Sequence, residues 1–574
     1  MRLVESAGRR RGIRGRAMKG IAKLALVLLL ATSAWTFAVP ALAASQTLPP
    51  LTPSKHDALY RALAHGKLSE PQYALQRARS LFALERVRTE WGHVARADPH
   101  AATFILRDLV VRTRFLSGTE RAEARSILAR PDGASSFNGE PTWEFDAIPR
   151  VVCEGGRPLC LHWDDNASNR DSPPPADSNP ANGIPDQVDD TMAVLDNVWD
   201  TEITGLGYRQ PLDDSSTTLN HGPGAQLDIY IADLGIYGLF GYCTSDDPHA
   251  FAFSAPWDVS AYCVLDDDYR QQQYGFGQTP LEFLEVTAAH EFFHAVQFAY
   301  DWFEDLALME GTAMWMEGQV YPAVIDRINY LNRSALAHPG VPLDTGGGGY
   351  EYGAWLFWRF LSEKVFANDP TIIREIWERA DGSGAAAFGD EYSFQAAHRA
   401  LAADGFDFRK IFGRFGWTND LRDYEEADLG YPVPPIAGVF RLGSTVRSSG
   451  WHTAHLFHLG THFYRFRPQP SAPQQATLNV GVHLPRLATY PAATAVVYTK
   501  GGPPQVKPIA LDAQGDGHRK VEFGRSQVWK IDLVLSNGSL RFDCPPKDFP
   551  ESVYSCGGFS RDDQRAFRFR ARVG

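Results

Sequence analysis

Residues 285–301 read EVTAAHEFFHAVQFAYD, and residues 308–317 follow as LMEGTAMWME. The first stretch contains His290-Glu291-Phe292-Phe293-His294, an HExxH pattern. On a helix, residues i and i+4 stand one above the other. Both imidazoles can therefore reach one metal ion while Glu291 touches a water on it. Neutral nitrogen ligands, an open coordination position and a nearby carboxylate are what zinc hydrolysis requires. Val286, Ala288, Phe292, Phe293, Val296 and Phe298 make the stretch apolar nearly all round, which predicts a buried helix. Histidines and a glutamate buried there need partners, and a metal supplies them.

A catalytic zinc usually takes three protein ligands. One zinc class continues HExxHxxGxxH, but the corresponding positions here are Gln297 and Tyr300. The third ligand must come from elsewhere, and Glu304, Glu310 and Glu317 follow. Glu310 opens a second helical stretch after a loop long enough to reverse direction. An antiparallel return would bring Glu310 beside the histidines. Glu317, two turns on, would hydrogen-bond a ligand histidine from outside.

The chain has 574 residues, 44% hydrophobic and 22% charged, enough for two or three domains with real cores. Lys19 and Lys23 precede an apolar run ending at Ala41-Leu42-Ala43, which reads as a signal peptide over 1–43, with Met1 or Met18 as the start. Its removal takes away eight basic residues and one acidic residue, leaving 48 basic and 67 acidic side chains, a balance of −19. That charge argues against nucleic acid as a partner. It suits a protein secreted to the periplasm or the medium, with no stable membrane anchor. The cysteines fall into close pairs, 153 with 160, 243 with 263 and 544 with 556, which reads as disulfides in an exported chain.

The expected class is α+β. Residues 44–135 read as a helical region, either a propeptide or a permanent subdomain, with capping boxes at Ser69–Gln72 and Ser117–Glu120. Residues 136–430 carry strands such as QLDIYIADLG and AYCVLDDDYR, the HExxH helix and a helical subdomain with Asp369 and Ser393 as helix caps. AYCVLDDDYR, just before that helix, is the strand expected to border the site and pair with an extended substrate. Residues 431–574 alternate as a β-sandwich with a hairpin turn at Asn537-Gly538. Asp177, Asn179, Asn182, Asp186 and Asp189 form an acidic loop resembling a calcium site, or else a turn capping a helix. His452, His455, His458 and His462 lie in the sandwich, three of them (452, 458, 462) expected on one strand face, where solvation explains them as well as a metal.

HExxH followed by a glutamate within LMEGTA resembles the gluzincin metallopeptidases. Their aminopeptidase branch has eighteen residues between the motif and a glutamate within NEG; here fifteen intervene and Met309 replaces the asparagine. A tyrosine in a YEKGA-like sequence of that branch hydrogen-bonds the tetrahedral intermediate. Tyr350-Glu351-Tyr352-Gly353-Ala354 matches it, with Tyr350 in register and Tyr352 the alternative. The branch's GxMEN anchor for a free N-terminus is absent, as is the NExxxD pattern of thermolysin-like enzymes, with Met314 at the aspartate position. Asn182-Gly183-Ile184-Pro185-Asp186-Gln187-Val188, DIYIADLG, AAHEFFHAVQ and EGTAMWME together resemble an uncharacterised family of exported bacterial metalloproteases, over roughly residues 140–365. The resemblance implies a zincin-like catalytic domain.

The expected reaction is peptide hydrolysis. His290, His294 and Glu310 hold zinc, Glu291 is the general base for the attacking water, and Tyr350 helps stabilise the oxyanion. Without an N-terminus anchor, an endopeptidase is expected. The rival is an exported binding or adhesion protein in which zinc and calcium are structural.

Overall fold

The computed structural model describes Leu51, residues 56–543 and residues 559–574, apart from 132–134, 138–139, 144, 146–148, 154–155, 216–223, 225, 253–254 and 276. The signal sequence and the Cys544–Cys556 pair lie outside the described residues.

Five helices come first: α1 (Ala58–Ala64), α2 (Glu70–Phe82), α3 (Leu84–Trp91), α4 (Ala102–Arg112) and α5 (Gly118–Ile127). Ser69 and Ser117 each close a complete capping box, with Gln72 and Glu120. A hairpin, β1 (Ser135–Phe137) with β2 (Glu140–Trp143), leads into a five-stranded sheet. Its strands are β3 (Arg150–Cys153), β4 (Leu159–Trp163), β5 (Leu227–Ala232), β6 (Gly241–Thr244) and β7 (Tyr262–Asp266). They lie in the order β3-β4-β5-β7-β6. The central pairs β4/β5 and β5/β7 are parallel, and both edge strands are antiparallel to their neighbours. Gly241–Thr244 is therefore an edge strand. Tyr262–Asp266, expected to meet substrate, is enclosed between two others. Cys153–Cys160 and Cys243–Cys263 are disulfide-bonded, each joining an edge strand to its neighbour.

Helix α6 (Asp186–Trp199) and two short helices, α7 (Pro248–Ala252) and α8 (Gln271–Tyr274), are interleaved with these strands. Next come α9 (Pro280–Phe298) and α10 (Leu306–Val320). Helix α9 starts at a capping box, Thr279 with Glu282, and has proline in its first turn. Asp305 caps α10 by accepting from the Leu308 N–H. Both helices are buried on almost every side, and α9 packs on β6 and β7. Helices α11 (Tyr350–Gly353), α12 (Trp355–Arg359), α13 (Thr371–Arg379), α14 (Phe394–Ala403) and α15 (Phe408–Leu421) complete this part. The expected caps shift slightly. Pro370 occupies the cap position of α13, and the Ser393 side chain makes no capping bond to α14.

The C-terminal strands form two sheets. One has β13 (Gln505–Pro508), β12 (Pro491–Thr499), β15 (Val528–Asn537), β10 (Gly460–Pro468) and β8 (Gly438–Leu442), in that order. The other has β14 (Asp516–Glu522), β11 (Thr477–His483), β18 (Arg565–Val573) and β9 (His452–Leu456). Between them lies a core of their own, including Leu478, Val480, Phe466, Leu533 and Phe569. The short pair β16 (Phe542–Asp543) and β17 (Phe559–Ser560) stands apart. Asn537-Gly538 makes no hairpin. Strand β15 pairs with β10 and β12, whereas β18 belongs to the other sheet, so the chain changes sheets there.

The protein is thus mixed helix and sheet with a β-rich C-terminal part. Leu75, Leu106 and Leu109 of the N-terminal helices share one hydrophobic core with the five-stranded sheet and with α9 and α10. Among the described residues no helix is long and apolar enough to cross a membrane.

Candidate metal centre

Helices α9 and α10 run antiparallel. His290 meets Glu317 near the far end of α10, while Gln297 meets Met309 near its start. That brings His290 Nε2 to 3.1 Å and His294 Nε2 to 3.4 Å from the same oxygen, Glu310 Oε2. The outward nitrogens are fixed by hydrogen bonds: His290 Nδ1 with Glu317 Oε1 at 2.8 Å, and His294 Nδ1 with Gln297 Oε1 at 2.7 Å. Gln297 is locked in turn, donating to the Met309 carbonyl and to Thr312 Oγ1. Each imidazole therefore presents Nε2 inward, as outer-shell partners do for metal-binding histidines.

Two glycines permit the approach. A Cβ on Gly241 would lie 2.9 Å from Glu291 Cγ, so only glycine lets the edge strand sit this close to the motif. A Cβ on Gly311 would come within 2.7 Å of Trp358 Nε1 behind Glu310.

Between the protein groups alone, a proton does the work of a cation. Burial opposes charge on His290, but Glu310 and Glu317 outweigh it and raise its pKa to about 10. Burial likewise opposes ionisation of Glu310, but the two imidazoles beside it hold it at about 2. Glu291 is pushed up, chiefly by burial.

Two groups close enough for one ion meet here: His290/His294/Glu310, and His100/His290/Glu291. Four buried atoms around them have no hydrogen-bond partner: His294 Nε2, Glu291 Oε1 and both ring nitrogens of His100. Each such atom costs roughly 1–3 kcal/mol, so four approach the ~5–15 kcal/mol of a whole domain's stability. A metal ion fits this donor set, since two imidazoles and a carboxylate are ordinary zinc ligands. A third group, Asp233/Asp266/Asp267, lies at the ends of β5 and β7.

The two tyrosines of residues 350–354 part company. Tyr350 packs its ring against His338, 5.6 Å between centroids, and lines a recess with Arg333 and Leu343. Tyr352 is buried beside the centre, its ring 5.6 Å from that of His100. Glu310 adds to the burial that raises the Tyr352 pKa.

The Asp177–Asp189 loop is exposed over residues 177–183 and closes on itself at the start of α6. Asp177 accepts from the N–H groups of Asn182 and Gly183, at 3.0 and 2.8 Å. Asp186 accepts from those of Ser178 and Asn179, both at 2.9 Å. Asn182 Nδ2 reaches Asp189 at 3.1 Å. Among the described residues this loop is not one of the groups close enough for one ion.

The sandwich histidines do not share one strand face. His452 and His455 lie on β9, His458 in the turn and His462 on β10. His452 meets the Ser449 carbonyl and His455 that of Gln564, while His458 is clasped by Asp344 at 2.9 Å and Asp563 at 2.6 Å.

His100 and Thr103 are the residues here that the sequence did not announce. Both lie about 190 positions before the motif, in a stretch, ADPHAAT, with no pattern of its own.

No family model matches this chain, and no curated protein matches it. Among solved structures, the pre-peptidase C-terminal domain of a Bacillus anthracis collagenase aligns at 10% identity over 24% of this chain and 97% of its own, TM-score 0.15. The copper-binding surface protein CorA of Methylomicrobium album BG8 aligns at 11% over 24% of this chain and 98% of its own, TM-score 0.14. A family GH115 4-O-methyl-α-glucuronidase aligns at 8% over 51% of this chain and 38% of its own, TM-score 0.13.

Proposed function

We propose that this chain is an exported zinc metallopeptidase of the gluzincin type, with a zincin-like catalytic domain, acting as an endopeptidase. One observation carries the reading: His290, His294 and Glu310 converge on one point with Glu291 beside them, its Oε1 unpartnered. His290, His294 and Glu310 would hold the ion, and a zinc bound there supplies Lewis acidity toward water and a peptide carbonyl. Glu291, its pKa raised by burial, takes the proton of the attacking water and passes it to the leaving amine. Glu317 and Gln297 keep the histidines oriented. Tyr352, beside His100, is placed better than Tyr350 to donate to an oxyanion. Strand β6, at the sheet edge against α9, offers the backbone on which an extended peptide could lie. The leader-like N-terminus and the two disulfides support export. The 177–189 loop remains a second cation candidate, for calcium, at which Asn182 would have to yield Asp189.

The test compares free and N-acetylated peptides with zinc-loaded protein, after the coordination position has been opened as described below. Internal cleavage of both is expected; cleavage of free N-termini alone would overturn the endopeptidase reading. Complete burial of the centre favours one other reading, an exported binding or adhesion protein with structural zinc and calcium. That reading leaves Glu291 without a use.

A further inference from the structure

The wall facing the His290–His294–Glu310 group comes from the other end of the chain. Residues 93–101 run without regular structure into α4. The Pro99 carbonyl accepts from the Phe240 N–H at 3.2 Å, and Thr103 Oγ1 accepts from the Cys243 N–H at 3.0 Å. The segment thus lies along the free edge of β6, where an extended substrate would otherwise pair. Thr103 Oγ1 also donates to Glu291 Oε2 at 3.2 Å. His100 is turned inward, 1% exposed, with its ring centroid 4.7 Å from that of His290. One of its nitrogens lies within 4.8 Å of ligand atoms of both His290 and Glu291, yet neither nitrogen has a hydrogen-bond partner. A histidine serving only as filler would satisfy at least one nitrogen, because burying an unpaired polar group is costly. A metal ion answers that need, and His100 faces the centre from the side of His290 and Glu291.

We propose that His100 is a fourth protein ligand of the metal at this centre, and that its withdrawal opens the coordination position to substrate. Four protein ligands make a closed site and three make an open one. His100 then keeps the enzyme latent by occupying the metal, with Pro99 covering the start of the edge strand at Phe240, while Thr103 stays with α4 beside Glu291. What it opens toward rests on the metallopeptidase reading above; the ligation itself does not.

The structure also limits what moves. Every residue of α4 is buried, and Arg107 donates to the carbonyls of Trp302 and Glu304. Arg130 is buried among Asp214, Asp228 and Asp246, which would be left uncompensated without it. Wholesale loss of the N-terminal helices would therefore dismantle the core. Val94 is buried among the first helices and the Ala95 N–H donates to Asp57, so the ties that must yield are those of residues 96–99, Arg96 to the Tyr237 carbonyl and Asp98 to Arg333 at 3.2 Å. The opening is a local swing of this strap about the start of α4.

X-ray absorption on the zinc-loaded full chain tests the ligation without any substitution, by counting imidazoles around the metal. Three are expected. Two would overturn the proposal alone, and a chain that takes up no zinc would overturn it together with the metallopeptidase reading. A second arm uses His100→Ala loaded with cobalt. A peptide hydroxamate should shift the cobalt spectrum of the variant and leave that of the wild type unchanged; equal shifts in both would contradict a blocked position. Peptide hydrolysis should rise at least tenfold in the variant. Three imidazoles and a selective spectral shift without hydrolysis would support His100 as ligand and overturn the peptidase reading.

Discussion

Two regions of this protein are rich in histidine, and they are built oppositely. Around α9, His290 and His294 are anchored by their outer nitrogens and turn the inner ones toward Glu310, with Glu291 Oε1 and both His100 nitrogens unpartnered at the rim. In the sandwich, His458 has carboxylates on both nitrogens, Asp344 on one side and Asp563 on the other. The first group is unsatisfied until something joins it, whereas the His458 clamp is complete. The number of histidines is similar; what separates a ligand site from a structural clamp is whether their free nitrogens converge.

The comparison can be broken most forcefully at Glu310. Glu310→Ala should reduce bound zinc to background, by more than the ~10–100-fold that loss of an outer-shell partner costs. Retention of stoichiometric zinc would remove Glu310 from the ligand set. The clamp should respond in stability alone. Asp344→Asn leaves a buried charged histidine short of a partner, which should cost about 3–5 kcal/mol, read by denaturant unfolding, with zinc content unchanged. Burial opposes the charge on His458, but Asp344 and Asp563 outweigh it and raise its pKa to about 9. The proton is therefore bound more tightly in the folded state. The clamp's contribution is full below pH ~6.5 and is lost as pH rises through about 9. Asp344→Asn should flatten unfolding stability across that window. A smaller effect is expected at Gln297. Gln297→Ala frees His294 to rotate and should weaken zinc binding roughly 10–100-fold, by competition with a chelator. No change would mean that α9 packing alone orients the ring.

Much of this centre was legible in the sequence because its signals are local. HExxH fixes two imidazoles on one helical face, and a return helix brings Glu310 and Glu317 to them, one inside and one outside. Capping boxes at Ser69 and Ser117 depend on four consecutive residues and were equally readable. The edge position of Gly241–Thr244 was not, because strand order is set by long-range pairing, and AYCVLDDDYR looks the same in the middle of a sheet as at its rim. Asn537-Gly538 has turn chemistry, but the two-sheet topology takes the chain elsewhere. His100 carries no signal at all, since its meaning comes only from α4 lying along β6.

The central claim is that this centre hydrolyses peptides through Glu291, and one measurement meets it directly. Zinc content and peptide hydrolysis are determined side by side for Glu291 and Glu291→Gln in the His100→Ala background, where the coordination position is open. Equal zinc in both, with hydrolysis reduced by at least ~100-fold in the glutamine variant, is the expected result. Equal hydrolysis in both would contradict the account.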